Sequence, residues 1–393
     1  MGKNSVRVIN EDFEKELKDG ILKPVTEMVK NSDNLLMCFR GKYINVYYRG
    51  HSLFKIEQML NKKNPYYKVS FNFNHARYTK EWNEILKQLE AIGYSLNYKN
   101  HEINNKDNIV SACVDKETLQ FFWDTSKILL CKLIDDFFSV EEDKLYDYFK
   151  RCQVKNKNKF IEKQCQQKIL INNNINFKMD KSNWFCLDME YVMKRENNSE
   201  DSFGRFDLIA ISKKQCGEKH KIALIELKCG TSAFSDFSDE FEKQFANDNK
   251  SFHNGETPVQ KIGSGILGHV YDYIRYLNSD KFKTVLKKEV INILNNYNEL
   301  GLINSFKRIE EDDIDDIPNV YFITLENKDD KCGETMKKYL CKCKGASKYN
   351  VEEVLGIDIT KSNSVFNPIF LFAEDDGSNI IDIIEDPGYK KGL

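Results

Sequence analysis

Nowhere does the chain hold the roughly 20 consecutive apolar residues that a membrane-spanning helix needs, so no membrane partner is expected. The opening residues, MGKNSVRVINEDFEKEL, lack the apolar core of a secretory leader, and Val6 stands where a myristoylation site wants Ser or Thr. Excess charge is missing too. The 59 basic and 61 acidic side chains leave a net charge of −2, which excludes a uniformly basic nucleic-acid coat. Any nucleic-acid contact must come from local clusters. There is no internal repeat and no helicase motif. The 11 cysteines are odd in number, and several (Cys113, Cys131, Cys165, Cys186, Cys229) lie in apolar runs, as reduced buried thiols do. These absences point to a cytoplasmic setting.

What is present is ordinary for a globular protein: 393 residues, 41% hydrophobic and 31% charged, enough chain for two or three domains. Residues 8–30 read as one helix, with Phe13, Leu17, Ile21 and Leu22 at helical spacing. Short β-type runs fill 35–75 (LLMCF, KYINVYYR, SLFKIE, KVSFNFN), separated by polar turns. Helices are predicted at 79–93, 116–138 and 140–171, with a domain junction within 107–140. From about 183 the order is three strands (WFCLDMEYVMK, RFDLIAIS, KIALIELKC), a helix ending in HVYDYIRYL, a helix at 281–296, an acidic loop EEDDIDD, then strands NVYFITLE and PIFLFAE. That is an α/β layer order. Residues 1–130 are expected to form an α+β module and 135–393 an α/β domain.

The chemistry concentrates in residues 206–230. In KIALIELKC, Glu226 and Lys228 are two apart and share a face. Charges at the end of a buried strand are costly unless compensated. Asp207 lies on the preceding run, and the SKKQCGEKH loop is short enough for a hairpin. Antiparallel pairing brings Asp207 beside Glu226. Two adjacent carboxylates repel unless a cation lies between them, and a divalent metal with hard oxygen ligands answers that need. The Leu227 carbonyl supplies a candidate third ligand. Lys228 stands where it can orient or deprotonate water, or neutralise a phosphate. A structural ion pair is the competing reading.

Asp207, then Glu226 nineteen residues on (226 − 207 = 19), then Lys228, resembles the PD-(D/E)XK nuclease superfamily. Phe206 replaces the proline of the name. The resemblance covers residues 140–280, with 320–375 as added strands, and says nothing of 1–115. It implies a restriction-endonuclease-like mixed sheet flanked by helices, following the N-terminal module. It further implies metal-dependent phosphodiester hydrolysis with Mg2+, replaceable by Mn2+, and DNA ahead of RNA as substrate. A restriction, repair or phage-defence setting fits, and so does a homodimer. The family often carries a glutamate on the helix before the first strand; FIEKQCQQKIL offers Glu162 as a ligand, with Gln166 one turn on toward nucleic acid. RecB-like members carry Gln-x-x-x-Tyr on the helix after the third strand. GHVYDYIRYL gives His269 and Tyr273 at that spacing, which leaves His269 to touch phosphate, orient the metal shell or pack. A fold that keeps only nucleic-acid binding, or an adaptor with a structural ion pair, are the rivals.

Other features divide between function and structure. Asp188 and Glu190 in LDMEY either join the same cleft or line a solvated edge. GSGILG does not follow a hydrophobic strand, so no dinucleotide loop is expected; Thr257 and Pro258 look like the start of a helix. Cys332, Cys341 and Cys343 do not match the spacing of a RecB-like iron–sulfur site. EEDDIDD reads as a solvated loop. In RGKYINVYYRGHS, Tyr43, Asn45, Tyr47 and Arg49 share one face, opposite Ile44, Val46 and Tyr48, with Arg40, Lys42 and His51 at the ends. Rings beside cations suit base stacking and phosphate contact, and a half-buried sheet suits them too.

Overall fold

A computed structural model describes residues 9–32, 34–48, 50–59, 66–72, 109–116, 157–174, 184–194, 202–213, 219–229, 279–303, 308–325, 368–372 and 390–392, together with 7, 87, 269, 272, 273, 276 and 277. The fold is mixed α/β with two sheets. By contacts it divides into one unit of residues 1–167 with 289–309, and a second of 168–288 with 310–393. The expected cut at 130–135 lies outside the described residues. So do GSGILG, Thr257, Pro258, Cys332, Cys341, Cys343 and nearly all of the helices expected at 79–93 and 116–138.

The first unit opens with α1 (Glu11–Lys18), whose N-cap Asn10 accepts the Phe13 N–H at 2.8 Å. Glu11, Asp12 and Glu14 in its first turn favour the positive end of the helix dipole. It buries Phe13 and Leu17. The single helix expected over 8–30 is two: α2 (Lys23–Lys30) begins anew, with Pro24 in its first turn. A continuous helix would place Pro24 in its interior, where the ring has no N–H to give and collides with the preceding turn. Five strands then form an antiparallel meander: β1 (Leu35–Phe39), β2 (Tyr43–Tyr48), β3 (His51–Met59), β4 (Tyr66–Asn72) and β5 (Ile109–Asp115). β5 lies inside the stretch expected as a junction.

β2 alternates as its sequence does: Ile44, Val46 and Tyr48 are buried, while Tyr43, Asn45 and Tyr47 are half-buried. The buried face carries the core of this unit. Tyr67 of β4 meets Phe13 of α1 at 6.3 Å between ring centres, and Phe39 meets Tyr297 edge-on at 4.9 Å. Tyr297 belongs to α4 (Lys287–Glu299), and its hydroxyl donates to the Met37 carbonyl at 2.6 Å. α3 (Lys157–Asn174) seats Gln167 at the β2–β3 turn, where its amide donates to Asn34 O at 2.9 Å and its carbonyl accepts the Gly50 N–H. Gly50 has φ +77°, and a Cβ there would lie 2.1 Å from Lys163 O. Only glycine fits that turn.

The second unit is a six-stranded mixed sheet in the order β11-β10-β9-β8-β7-β6. β6 (Trp184–Lys194), β7 (Ser202–Ser212) and β8 (Ile222–Cys229) are antiparallel; β9 (Asn319–Leu325) and β10 (Pro368–Phe372) run parallel to β8, and β11 (Lys390–Gly392) is antiparallel to β10. Leu208, Ile209, Ala210 and Ile211 are all buried, as are Ile222, Ala223, Leu224 and Ile225. Strands covered on both faces read as unbroken apolar runs, which is why the sequence shows them so clearly. The side chain of Asn174, at the end of α3, brackets Cys186 on β6: it accepts the Cys186 N–H at 2.8 Å and donates to the Cys186 carbonyl at 2.5 Å. The acidic segment is more anchored than expected. Asp315 pairs with Lys221 at 2.5 Å, and Asp316 pairs with Lys287 at 2.8 Å. No helix among the described residues is long and apolar enough to cross a membrane.

Candidate functional site

The β7–β8 ladder ends at the pair Leu208–Ile225. One step further, the strands set Asp207 opposite Glu226, and the backbone pairing gives way to a side chain. The Asp207 carboxylate (Oδ2) accepts the Leu227 N–H at 2.8 Å. The antiparallel pairing of these two strands is the one expected from the short loop between them. Leu227 meets Asp207 through its N–H, a different group from the carbonyl that the sequence reading assigned to a metal. On the other side β9 runs parallel, with Glu226 beside Phe322 and Lys228 beside Thr324.

Glu226 is 1% exposed. Its Oε1 takes Lys228 Nζ and lies 3.1 Å from His269 Nε2, while its Oε2 accepts the Tyr273 hydroxyl at 2.6 Å. Burial pushes the Glu226 carboxyl upward. The charges of Lys228 and His269, with the hydrogen bonds of Lys228 and Tyr273, outweigh it and hold the group below its ordinary value. Glu226 is therefore ionised at neutral pH. Burial, reinforced by the charges of Glu226 and Asp207, drives the Tyr273 phenol well above its usual range, so it stays a hydrogen-bond donor. Both carboxylates thus act on one buried hydroxyl.

His269, Asp272, Tyr273 and Tyr276 are helical, at the i, i+3, i+4 and i+7 spacing of one face. Tyr273 is wholly buried, packed edge-on against Phe206 at 4.5 Å and tilted over Phe322 at 5.5 Å. The assignment of Tyr273 to nucleic-acid contact does not suit this placement: a sealed ring whose hydroxyl is bonded to Glu226 positions the carboxylate instead. His269 is 23% exposed at its side chain and Lys228 11%, so the Oε1 side is the more open one. Asp272 was not singled out from sequence. It adds a further negative charge near Tyr273, and it lies so close to Gly204 (φ +136°) that a Cβ there would sit 2.7 Å from Asp272 Oδ2. Its place one residue before Tyr273 and three after His269 was the available signal.

The remaining candidates are more dispersed. Glu162 is half-buried and Gln166 buried, both in the portion of α3 that belongs to the first unit. Asp188 is buried and accepts its neighbour's Met189 N–H at 2.8 Å. Glu190 falls between the pairs Met189–Leu208 and Tyr191–Phe206, hence across from Asp207, at φ 52°, and its carboxylate meets Arg205 at 3.3 Å. In the first unit, Lys55 Nζ stands 3.8 Å over the Tyr43 ring, and the Arg40 guanidinium 5.9 Å from the centre of Tyr47. Arg49 lies outside the described residues.

Among the described residues, no set of three or more His, Cys, Asp and Glu side chains converges as metal ligands. In kind, the residues present do fit a hard divalent cation. Asp207 and Glu226 are carboxylates on adjoining strands, Glu226 is ionised though buried, and Mg2+ is commonly held by one or two carboxylates with water and phosphate completing its shell. No family model matches the chain, and neither a curated protein nor a solved structure matches it.

Proposed function

We propose that the protein is a metal-dependent nuclease that hydrolyses phosphodiester bonds, with DNA the favoured substrate, and that its second unit is a restriction-endonuclease-like core working in the cytoplasm. One observation carries this reading: Asp207 and Glu226 are set side by side where β7 and β8 part, with Lys228 two residues on. Asp207 and Glu226 are the residues that would hold Mg2+ or Mn2+. The ion supplies charge neutralisation on the phosphate and a more acidic bound water. Tyr273 fixes Glu226 through Oε2 and leaves Oε1, on the more open side, to face substrate. Lys228, held to Glu226, is the cation proposed to meet the substrate's charge. In leaving Glu226 for a phosphate oxygen or an attacking water it neutralises charge that grows during hydrolysis.

A second reading has its own support. Glu226 is already matched by Lys228, His269 and Tyr273, so the cluster is electrostatically satisfied as a structural ion network. Cleavage of plasmid, linear duplex, single-stranded DNA and RNA in Mg2+ or Mn2+, by wild type and Lys228→Ala, separates the two. The nuclease reading expects cutting that the variant loses. Cutting by neither protein, or equally by both, sinks it.

A further inference from the structure

We propose that the polar face of the N-terminal sheet binds single-stranded nucleic acid, by stacking bases on Tyr43 and Tyr47. This deepens the nuclease reading, on which its choice of ligand class rests, but it stands on residues of the other unit. The opposite face of this sheet is filled by Ile44, Val46 and Tyr48 and packed against helices. On the face in question Tyr43, Asn45, Tyr47, Lys55, Glu57 and Lys68 are half-buried, while Cys38 and Leu36, beside Asn45 and Tyr47 on β1, are buried. Register places Asn45 beside Lys55, Tyr43 beside Glu57, and Glu57 beside Lys68.

Three features select the ligand. First, each ring is served by a cation: Lys55 Nζ at 3.8 Å from the centre of Tyr43, and Arg40 at 5.9 Å from that of Tyr47. Both cations have long stems, so a base can take the ring while the charge swings to the neighbouring phosphate. Second, Arg40, Lys55 and Lys68 outnumber Glu57, which pairs with Lys55 at 3.2 Å, and Asp115, which lies beside Tyr66, so the face is positive by one charge. Third, Tyr43 and Tyr47 are four residues apart on one strand, so about 13 Å separates them. That is roughly four of the 3.4 Å steps of a duplex strand, so the two rings take bases that are not neighbours, from a strand whose bases are unstacked. A duplex keeps its base faces internal and offers nothing to stack. Asn45, held to Ser52 by a 2.6 Å hydrogen bond, lies between the two rings and can read a base edge.

The test is fluorescence anisotropy of the full chain in EDTA, where no metal-dependent cutting occurs, with labelled oligothymidylate, oligouridylate and a duplex of equal length. Wild type is expected to bind the single strands with a clear salt dependence. Tyr43→Leu and Tyr47→Leu should each weaken that binding by about 5- to 100-fold and leave duplex binding unchanged. Lys55→Gln, which leaves the core untouched, should lower the log–log salt slope by about 0.7. The proposal is overturned if wild type binds no single strand, or if folded Leu variants and Lys55→Gln bind as wild type does. It is also overturned if polyglutamate competes as well as oligothymidylate, which would assign the face to acidic peptides. Because metal and Lys228 take no part, a dead nuclease site and a blank sheet face give different results.

Discussion

At the scale of single residues, Glu226 sets the terms for everything around it. A carboxylate with 1% of its surface exposed would cost several kcal/mol if it stood alone. Three partners offset that cost, and two of them, Lys228 and His269, share one oxygen. The sign of the pH effect follows. The folded carboxyl titrates below its ordinary value of 4.5 because Lys228, His269 and Tyr273 outweigh burial. The stability it contributes is complete above about pH 4.5 and drains away as pH falls through the folded value. Burial pushes Asp315 up, but the hydrogen bonds from Lys221 and the Ile317 N–H outweigh it and lower the group, and the Lys287 hydrogen bond lowers Asp316, so the wild-type curve sums several groups. Glu226→Gln isolates one. The variant should unfold more easily than wild type at neutral pH, and the gap should narrow below about pH 4.5. Urea unfolding from pH 3 to 7 measures it, and a constant gap would contradict this account of the site.

At the scale of elements, the close approaches matter most. α3 can rest on the β2–β3 turn only because Gly50 has no side chain, since a methyl group would sit 2.1 Å from the Lys163 carbonyl and its φ is +77°. Gly50→Ala should therefore cost well over about 1 kcal/mol, read as a shift in the urea midpoint. A shift within error would mean that α3 does not press on this turn. Such a contact joins residues 113 apart (163 − 50), and nothing in either local sequence announces it. The strands that build the candidate site are the opposite case. LIAI and IALI are short apolar runs bounded by polar loops, and their hairpin loop fixes the register that brings Asp207 to Glu226. The break between α1 and α2 was legible in principle, since Pro24 cannot sit inside a helix, but the apolar spacing of Phe13, Leu17 and Ile21 hid it. β5 was not read because its short run, interrupted by Ser111, follows the polar stretch HEINNKDN, which looks like a linker. That Tyr273 is sealed beneath Glu226 depends on which helix face meets the sheet, and the His269–Tyr273 spacing alone does not fix that face.

At the scale of the whole molecule, the chain passes from the first unit into the second within α3, and returns for residues 289–309 before leaving again. The N-terminal sheet therefore depends on distant sequence, since Tyr297 caps Met37 and packs on Phe39 while Gln167 ties the β2–β3 turn. A fragment of residues 1–130 lacks both. It should show no cooperative urea transition by circular dichroism, and a sharp transition would mean that this sheet folds without them. The central proposal concerns the other unit, that Asp207 and Glu226 would hold a divalent cation. The direct test is the melting temperature of the full chain titrated with Mg2+ and Mn2+, for wild type and for Asp207→Asn, which keeps an acceptor for the Leu227 N–H while removing the charge. We predict a saturable rise for wild type, equivalent to about 2.7 kcal/mol at a hundred times the dissociation constant, and none for the variant. An absent rise, or one of the same size in both proteins, would contradict the metal site and leave Glu226 as the centre of a structural ion network.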